Sequence, residues 1–308
     1  MTTSTHNTTS EDTLKDFLHQ ALSKNERYST REVERILHKR LTQNAHVTEP
    51  LPFAELWTLE DLGVSNVSLL KAAPQDVQTQ VAHDLARARF VEAYAIEKAG
   101  MSFASKMSLM APNLSEQQMY SLFATEEARH FHFIDQSLGH PTDLPEDPFI
   151  HLLHDLVLTG ERQCLFLLVQ VVLEGWGIDH YARMANTCQH PAARAELQQI
   201  LADEAAHHGS GVALFDMDNL SEADQAYIIE KMSAFLYMVA IGPVGVAGVL
   251  EHHLGPMTSE QHQQTLIELD AHNETRRKLR VLRELMEKAG AHALVEQLED
   301  RQAFALAF

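Results

Sequence analysis

Two short segments share one pattern: Glu126-Glu127-Ala128-Arg129-His130 and Asp203-Glu204-Ala205-Ala206-His207. Upstream of each, a glutamate stands in an apolar stretch, Glu97 and Glu174. The spacing is the same in both halves: 30 residues separate Glu97 from Glu127, and 30 separate Glu174 from Glu204. Both upstream glutamates also have glycine three positions later, Gly100 and Gly177. An internal repeat of this kind constrains the fold more than any average property. On a helix, positions i and i+3 share a face, so each Glu-x-x-His turns a carboxylate and an imidazole toward one point. Glu174 ends the run Leu165-Phe166-Leu167-Leu168-Val169-Gln170-Val171-Val172-Leu173. A carboxylate in such surroundings is tolerated when it is paired or bound to a metal. Helices that bring the two halves face to face would pool four carboxylates and two imidazoles, a set that suits iron or manganese more than zinc or copper.

The remaining residues allow such a helical fold. Over 308 residues, 45% are hydrophobic, and only 13 glycines and 10 prolines interrupt the chain. Abundant Leu, Ala, Glu, Gln, Lys and Arg favour helix, and no stretch alternates as a strand does. The expected class is all-α. A net charge of −19 repels a phosphate backbone, so nucleic acid is not an expected partner. The two cysteines, Cys164 and Cys188, form no CxxC pair and fit a reducing compartment. The N-terminus lacks the basic and apolar regions of a secretory signal, and the expected location is cytoplasmic. Ser233–Leu250 carries no charge over 18 residues, close to membrane-spanning length. Gly242, Pro243, Gly245 and Gly248 interrupt it, and neither flank is basic, so it reads as a buried, kinked helix rather than a span.

Along the chain, residues 1–12 read as a disordered tail and 13–75 as an N-terminal helical segment. Within the latter, Ser29 or Thr30 is a candidate cap, and 44–56 form a connector. Residues 76–220 hold the paired motifs and 221–308 form further helices packed against them. Long helical patterns cover 76–111, about 114–138, 149 or 161 to 185, and 190–216. Ser115 is the expected cap of the second, and the loop 139–148 carries three prolines. The C-terminal patterns are 222–252, 258–289 and 291–304, broken near Gly255-Pro256 and Gly290.

On these residues, the stretch 76–216 resembles the ferritin-like di-iron carboxylate superfamily. The resemblance implies a four-helix bundle with additional N- and C-terminal helices. It implies two metal ions, iron/iron or manganese/iron, held by Glu97, Glu127, His130, Glu174, Glu204 and His207. Glu127 and Glu204 would bridge the metals. Glu126 and Asp203 would orient the opposite histidines. Glu126-Glu127-Ala128-Arg129-His130 is especially similar to the motif of the soluble acyl-carrier-protein desaturases. Ala206 stands where the second motif of those enzymes has arginine, and no subfamily is assigned.

Several residues keep two readings. Glu92, on another face of the same helix, rivals Glu97, and the repeat spacing favours Glu97. His208 is either a third imidazole ligand or a supporting residue, and His132 and His180 share that ambiguity. Tyr94 and Tyr181 lie near the metals or in the core, and Trp176 reads as core. Arg276, Arg280 and Arg283 share a face that either docks an acidic carrier or is solvated beside Glu274 and Glu284. The glycine-rich helix 235–250 either lines a substrate channel or packs in the core.

The expected function is an O2-activating oxidase or oxygenase acting on a small, largely apolar organic substrate, free or carrier-bound. Hydroxylation, desaturation, N-oxygenation and oxidative cleavage remain open outcomes. Electrons would come from a donor protein or from the substrate, and the expected assembly is a homodimer. The alternative is ferritin-like iron storage or detoxification without an organic substrate. A rubrerythrin-like peroxidase lacks support without a cysteine knuckle, and a ribonucleotide-reductase-like radical subunit without a C-terminal tyrosine.

Overall fold

A computed structural model describes residues 31–42, 45–141 and 147–307. The expected tail, the first part of the N-terminal segment and the candidate caps Ser29 and Thr30 lie outside them. The described residues are helical, with no strand among them.

After α1 (Arg31–Leu41) the connector holds a 3-10 turn at Phe53–Glu55, and the short α2 (Ser68–Lys71) follows it. The 36-residue α3 (Gln75–Met110) ends before Ala111-Pro112, because the residue preceding a proline is disfavoured in helical conformation. Three residues later α4 (Leu114–Ser137) begins. Its cap is Asn113, whose side chain accepts the Glu116 amide at 3.0 Å, not Ser115, which already lies in the first turn. So short a connection makes α3 and α4 antiparallel neighbours.

The third helical pattern divides at Gly160. α5 (Pro148–Thr159) starts with Pro148 behind the Asp147 cap and stops at that glycine. A side chain at Gly160 would meet the Leu156 carbonyl and the Leu165 side chain at 2.7 Å, so only glycine lets the chain turn there. α6 (Arg162–Leu165) then passes into π1 (Phe166–Glu174), a π-helix, and on into α7 (Gly175–Thr187). Three residues connect α7 to α8 (Pro191–Leu214), which opens on Pro191, a first-turn position needing no amide hydrogen. A second antiparallel hairpin results.

The C-terminal helices are α9 (Glu222–Leu254), α10 (Ser259–Glu268), α11 (Ala271–Lys288) and α12 (His292–Asp300). Ser221 caps α9 in a reciprocal capping box with Asp224. The stretch expected as one helix over 258–289 breaks at Asp270, which takes a left-handed φ of 52°. One apolar core joins Met107, Leu165, Leu236, Leu282 and Leu294, and so ties α9, α11 and α12 to both hairpins. A second gathers Phe53, Trp57, Phe90, Ile134, Tyr181 and Leu250 around the other end of α3.

The expectation of a buried, kinked helix over 233–250 needs correction. α9 runs unbroken through Pro243. Phe235, Leu236, Val239, Ala247 and Leu250 are buried, while Tyr237, Ile241 and Val244 face outward. Only 33% of its most apolar window is buried, and by length and composition alone this helix could cross a membrane.

Candidate metal centre

The two hairpins bring all six residues of the repeat together. Glu97, Glu127, His130 and Glu204 offer one set of donor atoms, and Glu127, Glu174 and His207 another, each set within 4.8 Å. Glu127 belongs to both, and Glu204 lies near both imidazoles: its Oε1 is 3.8 Å from His130 Nδ1 and 3.9 Å from His207 Nδ1. The carboxylates of Glu97, Glu127 and Glu204 and both imidazoles are buried in the protein.

Each ring has one nitrogen turned inward and one held from behind. His130 Nδ1 lies 3.2 Å from Glu97 Oε2, and His207 Nδ1 lies 3.2 Å from Glu127 Oε1. On the far sides, His130 Nε2 meets Asp203 Oδ2 at 3.1 Å and His207 Nε2 meets Glu126 Oε2 at 3.0 Å. Each acid beside a motif thus holds the histidine of the other motif. A proton on Nε2 donated to that acid leaves Nδ1 free as a metal donor. Gln199 in turn holds both oxygens of Asp203 at 3.0 Å.

The electrostatics call for cations. Burial pushes Glu174 up to about 8, helped by the charges of Glu127 and Glu97 and opposed by His207. Glu204 is raised well above its ordinary range by burial and by the carboxylates of Glu127, Glu97 and Glu174. Burial by itself would lower His207, but hydrogen bonds to Glu126 and Glu127 and the charge of Glu174 outweigh it and carry the ring up to about 12. Glu174 Oε2 is buried with no hydrogen-bond partner, a cost that a metal–oxygen bond would remove. Hard carboxylates, two inward nitrogens and an orphaned oxygen fit a metal ion, and the donors fall into two groups that share Glu127.

Glycine makes room for two of the carboxylates. A Cβ at Gly100 would sit 2.3 Å from Glu127 Oε2, whereas one at Gly177 would lie 3.9 Å from Glu204 Oε2. The glycine three positions after each upstream glutamate therefore faces a carboxylate in both halves, closely in only one.

The residues with two readings fall as follows. Glu92 stands outside the cluster and lines an adjoining cavity. Arg89 does not pair with it, and donates instead to the Asp61 carbonyl at 3.1 Å. His208 Nδ1 meets the Gln170 carbonyl at 3.1 Å and is not among the cluster donors. His132 packs edge-on against His38. Tyr94 packs against Phe131, while the Tyr181 hydroxyl donates to Glu97 Oε1. Trp176 lines the cavity and packs against Phe235. On the arginine face, Arg283 pairs with Glu287 and Glu299, and Arg276 meets Asn273.

Sequence reasoning passed over Gln170 and Tyr120. Gln170 is fully buried; its amide donates to the His207 carbonyl at 3.1 Å and to Ser210 Oγ at 2.8 Å, and its Oε1 accepts the Tyr120 hydroxyl at 2.8 Å. This network fixes π1 against α8 behind His207. The signal was present: Gln170 is the one polar side chain in an eight-residue apolar surround.

The cavity opens beside the cluster, with about 710 Å³ between its walls, open mouth included. Glu127, Glu174 and Glu204 form one side, and Phe103, Leu156, Val157, Leu173 and Trp176 give the rest an apolar surface. No protein-family model, curated protein or solved structure matches the chain.

Proposed function

We propose that this protein is a ferritin-like di-iron oxidase or oxygenase, in which α3, α4, the π1–α7 segment and α8 form the four-helix bundle. The observation that carries the reading is the buried six-residue donor set with an apolar cavity against three of its carboxylates. Glu97, Glu127 and Glu204 with His130 would hold one ion, and Glu127 and Glu174 with His207 the other. A bound ferrous pair would supply the electrons that activate O2. Asp203 and Glu126 orient the imidazoles, and the Tyr181 hydroxyl holds Glu97 from outside the cluster. The apolar walls exclude water from the reacting region and position an organic substrate beside Glu174. A storage protein has no need for such a space, and this favours the enzymatic reading over iron storage.

The test is anaerobic titration with iron(II) followed by exposure to O2. The reading expects two irons per chain and a transient visible absorption, from a particle far smaller than a storage shell on size exclusion. Glu127→Ala and His207→Ala should each lose stoichiometric binding. Two irons retained by either variant would overturn the ligand set, and a shell-sized oligomer would favour storage.

A further inference from the structure

The cavity wall carries two polar side chains that the metal cluster leaves unused, Glu92 and His180. Glu92 makes no hydrogen bond or salt bridge to any described residue. Burial raises the Glu92 carboxyl, and the charges that act on it, Lys278, Asp147 and Arg89, do so at a distance, none of them lining the cavity. Arg89 is committed elsewhere, to the Asp61 carbonyl and to the face of Trp57. His180 Nε2 is buried without a partner. A buried ring nitrogen without a partner, on the same cavity wall as a half-buried carboxylate that has none, is a place for a ligand to complete.

We infer that the cavity takes an amphiphilic organic amine, with its amino group between Glu92 and His180 and its apolar body along Phe103, Val157 and Trp176. The charge of the lining selects the head group. Glu127, Glu174 and Glu204 face the cavity as metal ligands, whose charge bound ions take up; Glu92 stands outside that donor set, and no lysine or arginine lines the cavity. At Glu92 a carboxylate head group would meet like charge, whereas an ammonium gives Glu92 the partner it lacks. His180 suits the same ligand. Burial, and then the cations Arg89 and Lys278, lower it to about 4, so the ring is neutral and one nitrogen accepts a proton-bearing donor.

The geometry also fixes the ligand's orientation. Along α3 the cavity runs from Glu92 past Ile96 and Gly100 to Phe103. Glu127 lies over Gly100, eight positions from Glu92, roughly 12 Å of helix rise. The amine is therefore an anchor held away from the metal ligands, and carbon atoms of the chain pass beside them.

The inference rests on the reading of the cavity as a substrate site, and its test runs without oxygen chemistry. Calorimetry on protein loaded with zinc(II), which fills the carboxylate cluster with a redox-inert ion, would compare 1-octylamine with 1-octanol. The amine should bind more tightly than the alcohol. Glu92→Gln should weaken the amine by roughly tenfold or more and leave octanol unchanged, which also shows that the variant is folded. Octanol binding as tightly as octylamine, in the unaltered protein, would overturn the proposal; so would a Glu92→Gln variant with undiminished affinity for the amine. Either failure leaves the oxidase reading standing, because that reading is judged by iron and O2.

Discussion

Replacing Gly100 with alanine separates metal binding from folding. The new methyl carbon would stand 2.3 Å from Glu127 Oε2 and 2.7 Å from its Cδ, against 3.4 Å for ordinary contact. The carboxylate must therefore retreat by about 1.1 Å, while metal–ligand distances tolerate only about 0.2 Å. The group that yields is the far end of a flexible side chain, so the backbone need not move. Gly100 also lies inside α3, where alanine is favoured over glycine by roughly 0.5–1 kcal/mol. The metal-free variant should consequently melt no lower than the unaltered protein, yet bind metal about 10–100-fold more weakly. Gly177→Ala is the internal control, because its nearest neighbour, Glu204 Oε2, is already at the ordinary distance of 3.9 Å, and it should retain both ions. Metal content after anaerobic iron(II) loading and desalting, with thermal melts of the metal-free proteins, gives the comparison. Equal metal content in the two variants would refute the assignment of Glu127 as a ligand held over Gly100.

Three further outcomes concern the scaffold. Gly211→Ala would drive a methyl group to 2.3 Å from Gln170 Cβ and 3.2 Å from its backbone; parting α8 from π1 should lower stability by about 1–3 kcal/mol, and an unchanged denaturant midpoint would contradict the close approach. Tyr120→Phe strands the buried Gln170 Oε1 and should cost about 1–3 kcal/mol by the same measurement. Ser221→Ala removes the α9 cap and should cost about 1 kcal/mol at neutral pH. Hydrogen bonding to Ser221 holds Asp224 below its ordinary 3.8, so this stabilisation is present above 3.8 and is lost as the pH falls through the lower folded value. The difference between variant and parent should narrow in acid, and a penalty constant down to pH 2 would argue against the capping box.

What the sequence discloses follows the range of the forces involved. The helical class and the approximate bounds of α3 and α8 are legible because helix formers, Pro112 and Pro191 act locally. The metal donors are legible because a repeat records one geometric demand twice. Ser115 and Asn113 are both good caps, and the choice depends on which side chain reaches the Glu116 amide. Asp270 breaks a helix where neither glycine nor proline announces it. Glu92 and Glu97 lie on one helix, and periodicity places them on different faces; only the packing of π1, α5 and α7 decides that one face meets the donor cluster and the other an apolar cavity. Likewise, composition identifies α9 as apolar but cannot indicate which of its faces the neighbouring helices cover.

The two halves repeat in sequence but not in chemistry. Glu97 is held by the Tyr181 hydroxyl and by His130; burial alone would raise its carboxyl, yet these partners bring it below its ordinary range. Glu174, its counterpart, ends a π-helix, has an orphaned oxygen, lines the cavity and is raised to about 8. The π-helix supplies a physical reason for the difference. Its wider turn carries a residue out of register with the flanking α-helices, so Glu174 meets the cluster from the end of a π-helix and Glu97 from the interior of α3. Were ions bound, Glu97 would meet them already held by protein partners and Glu174 with an oxygen still to offer. The apolar cavity opens on the Glu174 side, since Glu174 lines it and Glu97 does not, so a repeated set of donors sits in unlike surroundings.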